Sequence, residues 1–139
     1  MTRTKRFMTP LALALACTGA MTLPAGADIR YEQIKIDAGA ALFDAECRRC
    51  HAVDVEHASY GPPLENIVGR TAGSWPDFDY SDALVASGIV WTPAALRAWM
   101  EDNDGFMPGT KMRHVGIEDR TVQDFILAYL DSLSVETSN

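Results

Sequence analysis

The pentapeptide Cys47-Arg48-Arg49-Cys50-His51 constrains this chain more than any other stretch. It reads C-x-x-C-H, the pattern for covalent attachment of a c-type haem. Two cysteines three apart on one helical turn can both add to the vinyl groups on one edge of a porphyrin. The histidine that follows is then carried round to place its imidazole under the iron. Three plainer readings compete on the motif alone: a redox dithiol, half of a zinc site, and a structural disulfide. A redox C-x-x-C belongs in a βαβ setting, and no such pattern is visible. A zinc site needs a second ligand pair at its own spacing, for which only His57 and His114 remain.

The 139 residues suffice for one domain. Residues 1–27 read as a secretory signal peptide: Arg3, Lys5 and Arg6 at the start, an apolar run from Leu11 to Ala16, and the small residues Ala25-Gly26-Ala27 before the cut. The apolar run is too short and interrupted to span a bilayer. The expected mature domain is therefore 28–139, exported to the periplasm. Cys17 leaves with the signal; the alternative, lipidation of Cys17, is disfavoured by Ala14, where a lipid-attachment box prefers leucine. An exported domain that keeps only Cys47 and Cys50 has no disulfide framework, and haem is attached to such pairs outside the cytoplasm. The cut removes three of the 12 basic residues and none of the 19 acidic ones, leaving nine against 19, a net charge of −10. That balance excludes nucleic acid, which needs a basic face, and electrostatic adhesion to anionic membrane.

Along the mature chain, residues 28–36 read as a polar lead-in. An amphipathic helix is expected from Asp37, as its cap, into Cys50, with Ala40, Phe43 and Cys47 at helical spacing. Gly39 inside that pattern costs helix propensity and points to a close approach by another element. Gly61-Pro62-Pro63-Leu64 must be extended, because each proline pushes its predecessor out of the helical region. Pro62 has no N–H but a free carbonyl, suited to the second nitrogen of an axial histidine. Ser81 caps a short helix through Ala86, ended by Gly88. Thr92-Pro93 opens a third helix that stops near Asn103. Gly105 to Met112 is a turn-rich loop with two methionines. The last helix starts near Glu118 and carries the cleanest stripe: Val122, Phe125, Ile126, Tyr129, Leu130 and Leu133. The chain reads as all-α, with no repeat and no second domain.

These pieces, in register over residues 37–133, resemble the class I c-type cytochromes, the small soluble carriers of mitochondria and bacterial periplasms. Gly39 and Phe43 stand eight and four residues before Cys47, like that family's first-helix pair. Gly61-Pro62-Pro63-Leu64 through Gly69-Arg70, Tyr80-Ser81-Asp82-Ala83, Gly88-Ile89-Val90-Trp91, Pro108-Gly109-Thr110-Lys111-Met112 and Leu127-Ala128-Tyr129-Leu130 match its further segments in order.

The resemblance implies a class I cytochrome c fold, with the first and last helices crossing and helices and loops enclosing one haem c held by Cys47 and Cys50. It implies His51 and Met112 as axial ligands, Pro62 orienting His51, and Arg70, Tyr80 and Trp91 facing the haem propionates. Thr110 becomes a polar neighbour of the methionine loop, and Met107 a packing residue. Gly39 and Phe43 are expected to pack across Ile126 and Tyr129. Trp99 stands where many members have tyrosine near the methionine; an indole donates one hydrogen bond and accepts none, so the bonding around the Met112 sulfur is expected to differ. Thioether sulfur favours reduced iron, so His/Met ligation raises the potential, and a closed six-coordinate iron suits electron passage rather than catalysis.

The implied function is a monomeric, non-enzymatic electron shuttle between a redox donor and acceptor; the alternative is a dedicated electron-accepting subunit of one dehydrogenase. The lysine ring of mitochondrial members is missing: Glu46, Asp104, Glu118 and Asp119 stand at its places. Docking is therefore expected to be weakly charged or directed to a basic patch, with Arg48, Arg49, Lys111 and Arg113 leaving some positive charge at the edge.

Overall fold

The computed structural model describes residues 25–52 and 59–134. The predicted signal peptide up to residue 24, and His57, lie outside the described residues. Five helices follow one another: α1 (Ala25–Glu46), α2 (Asp82–Ala86), α3 (Pro93–Glu101), α4 (Asn103–Phe106) and α5 (Arg120–Ser132). The only sheet-like pairing among the described residues is an isolated antiparallel bridge between Thr71 and Val90. The all-α expectation is met.

The caps explain three helix starts. Ser81 Oγ accepts the Leu84 N–H, Thr92 Oγ1 accepts the Ala95 N–H, and Asp119 Oδ1 accepts those of Thr121 and Val122. Each cap satisfies amide donors that have no partner inside the helix.

Two elements depart from the sequence reading, α1 at both its ends and α4. α1 starts at Ala25, not Asp37. Residues 28–36 contain no glycine or proline, and pairs at helical spacing support them: Lys35 with Glu32 at 2.7 Å, and Gln33 donating to Asp37 at 2.8 Å. Asp37 is thus a mid-helix acceptor rather than a cap. At its other end α1 stops at Glu46, and Cys47–Cys50 form hydrogen-bonded turns, with the Cys50 and His51 amides both donating to Cys47 O at 3.0 Å. The second departure is α4, which falls in what reads as loop. Asp102 ends α3 and caps α4, its carboxylate accepting the Gly105 N–H at 2.9 Å.

The core forms where α1 and α5 cross. Phe43, Ile126 and Gln123 are completely buried. Phe43 packs on Tyr129 with ring centroids 5.4 Å apart. Gly39 lies flat against the Phe125 carbonyl and the Tyr129 side chain, as the sequence implied. Leu84, Trp91, Leu96, Trp99, Met100 and Met107 extend this core toward the loops, so Met107 is a packing residue. No described helix is long and apolar enough to cross a membrane.

Candidate functional site

The Cys47–His51 turn hangs directly from the crossing helices. The Phe43 carbonyl accepts both the Cys47 and Arg48 amides, at 2.8 and 3.0 Å. The two cysteines are free, half-buried thiols, not a disulfide. Burial, reinforced by the neighbouring Glu46 and Cys50, pushes the Cys47 thiol up to about 11. A redox dithiol needs the opposite, a depressed thiol that ionises readily. The zinc reading also lacks ligands: among the described residues no group of three or more His, Cys, Asp and Glu side chains could hold a metal ion.

His51 is buried, and residues 59–64 run beside it. Gly61 N–H donates to Cys50 O at 2.6 Å and Leu64 N–H to Ala52 O at 3.1 Å. This pairing sets the Pro62 carbonyl 2.8 Å from His51 Nδ1. A carbonyl only accepts, so Nδ1 carries the proton, and Nε2 keeps its lone pair for a metal. Burial holds His51 below the usual imidazole range, opposed by the Pro62 bond. Gly61 belongs to the same arrangement, for its Cα faces the imidazole edge.

Arg70 and Trp91 are joined through their backbones, with Trp91 N–H donating to Arg70 O and Gly69 N–H to Trp91 O, both at 2.9 Å. The Arg70 guanidinium donates to Pro63 O at 2.8 Å and Glu65 O at 3.1 Å, and stacks 5.1 Å from the Trp75 ring centre. Arg70 therefore ties down the Pro62 segment as well as bringing a cation beside Tyr80. Burial raises the Tyr80 hydroxyl above its ordinary range and the Arg70 charge opposes this, so the two side chains sense each other. Trp91 is buried edge-on to Trp99, centroids 5.0 Å apart.

Met112 lies at the end of the 107–112 loop, where Trp99 Nε1 donates to its sulfur at 3.0 Å. The indole is thus the donor at this sulfur. Buried Thr110 accepts the Met112 amide through Oγ1 at 3.3 Å. Met112 O accepts from Asn103 Nδ2 at 2.8 Å and from Arg113 at 3.1 Å. His114 sets its two ring nitrogens 2.7 Å from Val115 O and 3.3 Å from Trp99 O.

The sequence reading overlooked Asn103. The signal available was Asp102-Asn103-Asp104-Gly105, a cap followed by residues able to start a new turn of helix. The positive charge expected around the edge is largely neutralised. Arg48 pairs with Asp44 at 2.8 Å, Lys111 with Asp79 at 2.7 Å and Arg113 with Asp104 at 3.0 Å. Asp119, one of the acids expected on that face, is the cap of α5.

The donor set fits a c-type haem: two unoxidised thiols at attachment spacing, an imidazole with its tautomer fixed, and a thioether oriented by an indole. The chain matches the family model described as Cytochrome c over residues 36–134. It is 40% identical over 95 residues to cytochrome c2 of Rhodopila globiformis, covering 68% of this chain and 90% of that protein. With cytochrome c2 of Rhodoplanes tepidamans the identity is 41% over 96 residues, 68% of this chain and 89% of the other. The structure of cytochrome cH from Methylobacterium extorquens superposes with a TM-score of 0.64 at 39% identity, covering 70% of this chain and 97% of that one.

Proposed function

The chain belongs to the cytochrome c family, as a class I c-type cytochrome, and from that premise we propose that it is a periplasmic shuttle, passing single electrons between a donor and an acceptor protein with His51 and Met112 as axial ligands. The family's cofactor is a covalently attached haem c, and Cys47 and Cys50 stand at the attachment spacing. When bound, the haem iron supplies one-electron redox chemistry. The observation that carries the His/Met reading is the pair of fixed orientations, Nδ1 of His51 on Pro62 O and Met112 Sδ under the Trp99 N–H.

Each residue then has a physical task. Cys47 and Cys50 hold the group by thioethers. Pro62 keeps the His51 proton on Nδ1 and raises the basicity of Nε2. Arg70, Tyr80 and Trp91 supply donors to propionates that would be costly to bury unpaired. Thr110 holds the Met112 amide. Residues 1–27 are the signal that directs the chain to the periplasm, and 28–139 the mature domain. With Arg48, Lys111 and Arg113 already paired and acidic residues in excess, the docking partner carries a basic patch, and the association rate should fall as salt rises.

An absorption spectrum of the oxidised holoprotein tests the ligation through the weak methionine-to-iron band, and carbon monoxide addition to the reduced form tests closure. The expected results are a visible band and no rapid binding. A missing band or fast carbon monoxide uptake would remove Met112 as the sixth ligand.

Trp99→Phe should lower the reduction potential. The indole N–H withdraws electron density from the sulfur, leaving a weaker donor that favours reduced iron. A hydrogen bond of about 0.5–1.5 kcal/mol corresponds to a shift of about 20–60 mV for one electron. Redox titration of the variant reads this directly, and a raised potential would contradict the assigned role.

A further inference from the structure

We propose that Asn103 is a positioning residue that keeps Met112 in place by holding its peptide while Trp99 holds its sulfur. The inference rests on Met112 being the axial ligand. Asn103 is buried, at 5% exposure, in a segment of otherwise polar turn chemistry. It serves both ends of the methionine loop. Its backbone carbonyl accepts the Met107 N–H at 3.0 Å, where the loop leaves α4. Its side-chain Nδ2 donates to the Met112 carbonyl at 2.8 Å, where the loop ends.

Trp99 and Asn103 are four residues apart, on the end of α3 and the start of α4. One short stretch of chain therefore grips Met112 at two points, sulfur and carbonyl. The Asp102 cap makes this possible by ending one helix and starting the next within a single residue. Arg113 also donates to Met112 O, but its Nη1 is shared with Thr110 O and with Asp104, on an exposed side chain. The bond from Asn103 is the better protected from water, and a buried amide donor is costly to leave unpaired. Beyond Met112 the chain is fastened again. Ile117 N–H donates to Met100 O at 2.8 Å, and Gln123 Nε2 donates to Ile117 O at 2.6 Å. The 107–112 loop thus lies between two fixed ends, and any displacement of the Met112 backbone breaks the Asn103 bond.

The test is displacement of Met112 by added imidazole in the oxidised holoprotein, followed by loss of the methionine-to-iron band. Asn103→Ala should raise the apparent imidazole association constant about tenfold. Asn103→Asp keeps the size and removes the donor, so it should do at least as much. Ala41→Gly, an exposed change on α1 away from the loop, should lower the melting temperature without altering imidazole binding. Asn103 variants that lose stability yet bind imidazole within twofold of the parent would overturn the proposal. If neither Asn103 variant folds, hydrogen exchange of the Asn103 amide group in the unmodified holoprotein decides. Protection that is present in the native form and lost in the imidazole adduct supports the clamp; equal protection in both overturns it. A parent spectrum without the methionine band would instead refute the ligand assignment, before any variant is compared.

Discussion

Gly61→Ala will displace the His51 imidazole and disturb the holoprotein well beyond what a surface methyl group does. A Cβ on Gly61 would lie 2.5 Å from His51 Cε1, 2.7 Å from Nδ1 and 3.0 Å from Cys50 O. Ordinary carbon contacts begin near 3.5 Å, so something must move by most of an ångström. The ring cannot give way freely, because Nδ1 is bonded to Pro62 O on the same side. The backbone of residue 61 is itself tied to Cys50 O at 2.6 Å. Overpacking of this kind costs about 1–3 kcal/mol, and losing the Pro62 bond adds ~1 kcal/mol. The melting temperature of the holoprotein should fall by roughly 10 °C or more. The potential should move as well, since the basicity of Nε2 depends on the proton held at Nδ1. Gly69→Ala is the control. Gly69 has a φ of +83° and open space around it, so alanine there strains only the backbone. It should cost about 1 kcal/mol and leave the potential unchanged. A Gly61→Ala protein with the melting point and potential of its parent would refute this account of the imidazole pocket.

The same region shows which features were legible in the sequence. Ser81 and Thr92 were readable as caps because a capping bond closes within three residues, 3.3 Å for Ser81 and 3.1 Å for Thr92. Pro62 was readable because a proline carbonyl beside a C-x-x-C-H turn has few other uses. Asp37 misled because a cap works only where the preceding chain is not already helical, and the Glu32–Lys35 pair lies inside α1. Asn103 was hidden because a polar residue in a turn-rich stretch is normally solvated. Its buried amide is satisfied by the Met112 carbonyl, nine residues on in the chain. Lys111 looked like free positive charge because Asp79, its partner, is 32 residues away. Local rules therefore captured most of the helices and the Pro62–His51 contact. What they missed were longer pairings made by the return of the chain, which hold the Met112 peptide and occupy the surface cations.

Gly39→Ala should destabilise the protein although alanine is the better helix former. In an isolated helix the exchange would gain ~1 kcal/mol. Here an alanine Cβ would overlap the Phe125 carbonyl oxygen and sit 2.7 Å from its carbon and 2.9 Å from Tyr129 Cβ. Two of these three atoms are backbone atoms of α5, which cannot rotate away as a side chain would. The helices must separate, and the Phe43–Tyr129 contact at 5.4 Å opens with them. With ~3 kcal/mol of overpacking against the gain in propensity, the net loss is about 2 kcal/mol, or roughly 10 °C in melting temperature. Ala41→Gly, on the exposed side of the same helix, separates the two effects. It removes only propensity and should cost ~1 kcal/mol. A Gly39→Ala melting point equal to or above that of the parent would mean that the crossing is looser than drawn. The consequence reaches the site because α1 delivers it: the Phe43 carbonyl carries the Cys47 and Arg48 amides at 2.8 and 3.0 Å. A shift of α1 away from α5 is therefore a shift of the Cys47–His51 turn relative to Pro62 and Met112. Gly39→Ala should accordingly weaken the methionine-to-iron band in proportion to its loss of stability, whereas Ala41→Gly should leave that band intact.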